Sequence, residues 1–278
     1  MKVEAQELYF KAGSERLCFR AWEAATARGV VVLLHGIGEH SGRQARLGRA
    51  LGDAGFSALA FDLRGHGRSS GRRGHVERFE DHVDDLSVFW RIVGDQGRPG
   101  PRFLLGRSLG GLVALHFLLR DRPPGVAGLI LASPALRLRL KPGRARLAAG
   151  RLLDRVLPGI GLPHDIHPRQ LTHDASLARE YANDPLVQRR SSARSYLELL
   201  SAMESARARA AAVETPLLVL AGGEDPVLSP EAMGDFVRAA RARDKRLIVY
   251  PRFYHEVFEE VERERPIEDL IAWLRARS

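Results

Sequence analysis

Residues 103–115, FLLGRSLGGLVAL, set one serine among three glycines between two apolar runs of different character. Phe103, Leu104 and Leu105 form a short unbroken apolar run, the pattern of a buried strand, whereas Leu109, Leu112, Val113 and Phe117 recur at helical spacing. Ser108 therefore falls on a strand-to-helix turn. Gly106 and Gly110 remove side chains on either side of it, which permits a strained backbone at the serine and close passage of neighbouring chain. The pattern is G-x-S-x-G, a nucleophile elbow: the sharp turn lifts the hydroxyl above the sheet edge, and the N–H of Leu109 at the start of the new helix faces an incoming anion. Over five residues, a glycine-rich turn with serine as helix cap reads the same way, so the rest of the chain has to separate the two.

Working outward, β-like runs occur at about residues 6–10, 16–22, 29–34, 56–61, 102–106, 128–132, 216–221 and 246–250. From the third onward they alternate with helix-length amphipathic segments, including 76–93, 108–120, 230–242 and 266–277. This predicts an α/β fold: a mostly parallel eight-stranded sheet with helices on both faces. In such sheets chemistry collects at the carboxyl ends of the strands.

The residues just beyond each strand are therefore informative. After the third comes HGIGEHSGR (35–43), where a His-Gly turn can aim the N–H of Ile37 at the same point as that of Leu109, two donors making an oxyanion hole. A dinucleotide-binding turn is the rival, but Gly36, Gly38 and Gly42 miss the required spacing by one. After the fourth, DLRGHGRSSG (62–71) offers His66 either as a general base or as a residue that fixes its loop through backbone carbonyls. After the seventh, AGGEDPVLSP places Glu224 and Asp225 side by side among turn formers, and after the eighth PRFYHEVFEE places His255 ahead of a helix. Serine, acid and histidine thus stand after their own strands in the chain order of a nucleophile elbow with its partners. Ser108, Asp225 and His255 form the expected triad, with Glu224 as the alternative acid. His164, His167, His173 and Asp174 lie close in sequence, but their spacing and the intervening Pro163 and Pro168 do not make a metal site. Neither metal nor cofactor is expected.

The chain has 278 residues, 45% hydrophobic and 28% charged, which suits one large α/β domain with an insertion. Cys18 is the single cysteine, so no intrachain disulfide can form. The amino-terminal stretch lacks the apolar core of a signal peptide and no run is long enough to span a membrane, so a cytoplasmic protein is expected. A net charge of +9 arises mostly from arginines scattered among 34 acidic residues, which does not point to nucleic acid. One stretch is locally basic: seven cations against Asp154 between Arg137 and Arg155. Projected as a helix, it puts Ala145, Ala149, Leu152, Leu153 and Val156 on one side and Arg144, Arg151 and Arg155 on another, with Leu147 nearer the polar side. Such a stripe suits either a solvated helix packed on the core or a helix resting on anionic lipid.

Taken together, HGIGEHSGR, FDLRGHGRSSG, GRSLGG, REYANDPLV (179–187), GGEDPVLSP and YHEVFEE resemble the monoacylglycerol lipase and lysophospholipase branch of the α/β hydrolases, also labelled serine aminopeptidase-like hydrolases. The resemblance implies Ser108 as nucleophile, Asp225 as orienting acid, His255 as general base, and Ile37 with Leu109 as oxyanion donors. It also implies an α/β-hydrolase core over 1–134 and 206–278, and a helical cap inserted over 135–205 above an acyl pocket. The expected activity is hydrolysis of carboxylic esters, monoacylglycerol or lysophospholipid, through an acyl-enzyme, with peripheral contact to anionic membrane through the cap. A short-chain esterase, thioesterase or peptidase could run on the same triad, and a non-catalytic binding protein could keep the same fold. Two residues depart from the branch. Arg107 stands where histidine usually precedes the nucleophile, and a permanent charge there must find a carboxylate or solvent. Gln44 replaces a frequent tyrosine.

Overall fold

A computed structural model describes residues 5–140, 142–164 and 166–278. The chain opens with an antiparallel pair, β1 (Gln6–Ala12) and β2 (Glu15–Trp22), then runs through β3 (Gly29–Leu34), α1 (Ala45–Asp53), β4 (Phe56–Phe61), α2 (Glu80–Asp95), β5 (Arg102–Arg107), α3 (Leu109–Asp121) and β6 (Val126–Ala132). Next come α4 (Arg144–Val156), β7 (Gly161–Pro163), α5 (Ala175–Asn183), β8 (Arg190–Ser192) and α6 (Ala193–Ala208). The chain then re-enters the sheet through β9 (Leu217–Gly222), α7 (Pro230–Ala239), β10 (Lys245–Tyr250) and α8 (Glu264–Arg275).

The main sheet has eight strands in the order β1-β2-β4-β3-β5-β6-β9-β10, with β2 antiparallel to β1 and to β4 and every other pairing parallel. Its middle strands are buried along their whole length, as GVVVLL of β3 and FSALAF of β4 illustrate. Buried on both faces, they read as continuous apolar runs. The period-two alternation of a strand then divides them between two cores. Val30, Val32, Leu34 and Leu104 join Val83, Leu86 and Phe89 of α2, Leu112 and Leu115 of α3 and Phe236 of α7. Val31, Leu33, Phe103 and Leu105 join Leu47 and Leu51 of α1 and Leu270, Trp273 and Leu274 of α8. All eight strands stand within a few residues of their expected positions.

The helices depart more. The segment expected to be helical from residue 76 enters its α-helix only at Glu80, because the N–H of Val76 is donated to Ser195 Oγ (2.8 Å) and that of Phe79 to Glu198 Oε2 (2.9 Å), tying the loop to α6. At α7 the helix stops at Ala239, since Ala240 is extended (φ −60°, ψ 139°). Between β6 and β9 the small antiparallel pair β7–β8 and the helices α4, α5 and α6 had no individual expectation beyond the amphipathic stripe of α4. Residue 205, the expected end of the insertion, lies inside α6, which continues to Ala208.

The expected faces of α4 need correction. None of its residues is buried; Leu147, Gly150, Leu153 and Asp154 are partly covered, while Ala145, Ala149, Leu152 and Val156 stand in solvent with the arginines. Leu147, placed nearer the polar side by projection, faces the protein. The helix lies against α6, whose Arg194 Nε donates to Asp154 Oδ1 at 2.6 Å, and that pairing turns the Asp154 face inward. Leu152 and Val156 are 64% and 67% exposed, so the apolar stripe is not a core-facing one.

Candidate active site

Ser108 sits at the end of β5 with φ 48° and ψ −116°, a conformation that costs a non-glycine residue about 1–3 kcal/mol and persists only where its surroundings enforce it. Three backbone hydrogen bonds do so. Its N–H is donated to Ala132 O (3.0 Å) at the end of β6, and its carbonyl accepts from Leu112 N (3.2 Å) and Ala135 N (3.0 Å). The flanking glycines are required by close approach: a Cβ on Gly106 would stand 2.3 Å from Gly110 O, and one on Gly110 would stand 2.5 Å from Leu34 O. Leu109 opens α3, so its N–H has no carbonyl one turn earlier to engage.

The His-Gly turn after β3 passes directly beside this elbow. A Cβ on Gly36 would lie 3.4 Å from Ser108 Cβ. His35 locks the turn, donating from Nδ1 to Gly36 O (2.8 Å) and accepting at Nε2 from Leu63 N (2.9 Å). Ile37 and Leu109 border one small cavity of about 30 Å³ together with His66, Val76, Phe79 and His82.

At the end of β9, Asp225 is fully buried and makes the turn its Asp-Pro sequence suggests: Oδ1 accepts from Val227 N (2.8 Å) and Leu228 N (3.0 Å). Oδ2 is thereby left for His255 Nδ1, 2.8 Å away. Glu224 is exposed and takes no part. A carboxylate oxygen accepts, so Nδ1 of the neutral ring carries the proton and Nε2 keeps its lone pair. His66 does not act on this ring; its Nδ1 donates to Arg64 O (2.9 Å) and fixes the glycine-rich loop after β4. His173 pairs with Glu260 (2.9 Å) and Asp174 caps α5, so the clustered 164–174 groups are each engaged separately.

The charge at Arg107 finds carboxylates. It is 2% exposed and its Nη2 contacts Glu256, next to His255, and lies 3.6 Å from Glu39 Oε1. Burial alone would raise the Glu39 carboxyl, but Arg107 and Arg43 outweigh it and hold it near about 2. Glu39 Oε2 also accepts from Gly36 N (3.1 Å), so the cage braces the His-Gly turn as well. Glu256 Oε1 stands 4.0 Å from His255 Nε2. No sequence pattern pairs Arg107 with Glu39 and Glu256, although the two carboxylates lie inside HGIGEHSGR and YHEVFEE. A second cleft, about 720 Å³, opens beside Tyr254 and is bordered by Thr172, Tyr181, Arg169, Arg179 and Arg189.

A protein-family model described as serine aminopeptidase, S33, matches residues 25–262. The monoacylglycerol lipase of Mycolicibacterium smegmatis is 32% identical over 98% of this chain and 97% of its own length. Phospholipase YtpA of Bacillus subtilis is 31% identical over 87% of this chain and 93% of its own. Among solved structures, the monoacylglycerol lipase of Paleococcus ferrophilus superposes with a TM-score of 0.83 at 32% identity, covering 99% of this chain and all of that one.

Proposed function

The chain belongs to the serine aminopeptidase, S33, family, within the monoacylglycerol lipase branch of the α/β hydrolases, and from that premise we propose that it cleaves monoacylglycerol or lysophospholipid esters through an acyl-enzyme. One observation carries the reading: a strained serine at a strand-to-helix turn after β5, with a buried Asp–His pair beyond the carboxyl ends of β9 and β10 in which the carboxylate holds the imidazole Nδ1. In this reading Ser108 Oγ attacks the ester carbonyl while His255 Nε2 takes its proton. Asp225 holds the ring in the needed tautomer and stabilises the imidazolium. The N–H groups of Ile37 and Leu109 take the negative charge that develops on the carbonyl oxygen. His255 then protonates the departing alkoxide, and water repeats the sequence on the acyl group. Arg107 keeps Glu256 engaged, so that this carboxylate does not settle on Nε2 in place of the serine hydroxyl.

The 135–205 stretch is the cap of this reading. Contact with anionic membrane is supported by the outer surface of the cap, where Leu140, Leu152, Val156, Leu157 and Ile160 are exposed among Arg144, Arg151 and Arg155. Among the described residues no helix is long and apolar enough to cross a bilayer.

Assay of monoacylglycerols, lysophospholipids and p-nitrophenyl esters, with fluorophosphonate labelling, tests the proposal. Ser108→Ala should abolish labelling and lower kcat on the order of a millionfold, as nucleophile removal does in other triad enzymes. Full activity in a folded Ser108→Ala protein would remove the assignment.

A further inference from the structure

The cavity beside Ile37 and Leu109 carries hydrogen-bonding capacity that a plain hydrocarbon chain cannot use. Two of its lining rings, His66 and His82, are 5% and 3% exposed. His66 must donate from Nδ1, because its partner there is the carbonyl of Arg64, so the neutral ring presents a lone pair at Nε2. Among the described residues that lone pair has no hydrogen-bond donor. His82 stands 6.2 Å from His66, centroid to centroid, and neither of its ring nitrogens is hydrogen-bonded among the described residues. Its Nδ1 is buried and unpartnered.

Both rings are held neutral. Burial brings His66 down to about 3, with His35 and Arg73 pushing the same way and Asp62 and the Arg64 carbonyl opposing. Burial likewise lowers His82 well below its ordinary value, reinforced by His66, Arg64 and His35. The pair therefore offers one fixed acceptor, His66 Nε2, and one ring, His82, with a donor and an acceptor to give. The third histidine of the cavity, His75, is already engaged on both sides by Ser192 Oγ (2.8 Å) and Glu77 Oε1 (3.0 Å).

A hydroxyl matches this arrangement, because it can donate to His66 and accept from His82 at once. An oxo group can only accept, and a methylene does neither. A site whose buried polar groups are paired only by the right substrate discriminates against the analogue lacking the partner. We propose that this cavity selects an acyl group bearing a hydroxyl close to its carbonyl, held between His66 and His82. The volume of about 30 Å³ suits a compact polar branch of this kind. This inference rests on the ester-hydrolase reading, in which Ile37 and Leu109 fix the carbonyl at one end of the cavity.

The test compares ethyl butyrate, ethyl 3-hydroxybutyrate and ethyl 3-oxobutyrate by pH-stat, each kcat/KM divided by that ester's rate with hydroxide. The wild-type protein should favour the 3-hydroxy ester over butyrate by about tenfold, one net hydrogen bond's worth of selectivity, and should show no such gain for the 3-oxo ester. His82→Phe should bring the 3-hydroxy preference to about one. A wild-type ratio near one, a preference that survives His82→Phe, or an equal gain for the oxo ester overturns the inference while leaving the ester-hydrolase reading in place. No hydrolysis of any of the three esters overturns the inference, while the ester-hydrolase reading stands or falls with the monoacylglycerol assay and fluorophosphonate labelling. The wild-type comparison stands without any variant, and His82→Leu provides a second substitution if the phenyl ring disturbs folding.

Discussion

At the scale of single residues, the adjacent acids Glu224 and Asp225 show how local chemistry selects between them. Both suit a turn, but only the side chain one carbon shorter folds back on Val227 N and Leu228 N, and this leaves its second oxygen for His255. Asp225→Asn should therefore lower kcat roughly 10⁴-fold by presenting the wrong tautomer at His255, while Glu224→Gln, exposed and unlinked to the ring, stays near wild type. The measurement is kcat for a p-nitrophenyl ester in the two variants; the opposite ranking would make Glu224 the acid. The same scale explains how Arg107 is accommodated: a guanidinium that is almost wholly buried is compatible with folding because Glu39 and Glu256 meet it, and removing both carboxylates would leave an uncompensated charge.

At the scale of elements, α4 illustrates a limit of helical projection. A projection sorts side chains by type, whereas the face turned inward is decided by what lies opposite, here α6 with Arg194. The double substitution Leu152→Gln/Val156→Gln should change stability by no more than about 0.5 kcal/mol, since both side chains are already in water. Thermal unfolding checks this. In the same variant, hydrolysis of monoacylglycerol in anionic vesicles should fall while that of a soluble p-nitrophenyl ester holds. Leu153→Gln, on the partly covered face, should be the more destabilising change. Equal losses on vesicle and soluble substrates would indicate a disturbed cap instead of a lost membrane contact.

For the whole molecule, the buried imidazoles set how stability responds to pH. Burial depresses His35, His66, His82 and His116, and the unfolded chain takes up these protons below about 6.5 while the folded one does not. Their contribution is complete above about 6.5 and is lost as the pH falls toward about 3. Two carboxyls act in the opposite sense: burial raises Asp85 to about 6 and also raises Glu259, so the folded state takes their protons first. Four imidazoles outnumber two carboxyls, and the carboxylates held low, Glu39 and Asp62, extend the loss below about 4.5. The urea midpoint should therefore drop between pH 7 and pH 5. His82→Phe should reduce the pH dependence of the unfolding free energy below about 6.5, by at most about 1.4 kcal/mol per pH unit, the linkage of one proton. A midpoint that does not move over that range would contradict neutral burial of these rings.

The sequence by itself determined the eight strands, their order of chemistry and the elbow, because these depend on local quantities: runs of apolar residues, glycines at a turn, and which residue stands after which strand. GVVVLL, the FLL of β5 and LLVLAG are short apolar runs in a chain that alternates them with helix-length segments, the pattern of buried strands. Only the tertiary structure decided which of two neighbouring acids meets His255, where Arg107 places its charge, which face of α4 is covered, and that His66 and His82 share one cavity. Each of these depends on residues far apart in the chain being brought within a few ångströms, as Arg107 is to Glu256 across 149 positions. Such pairings leave no periodic trace in either segment, because burial and electrostatics select them only after the sheet has brought its strand ends together.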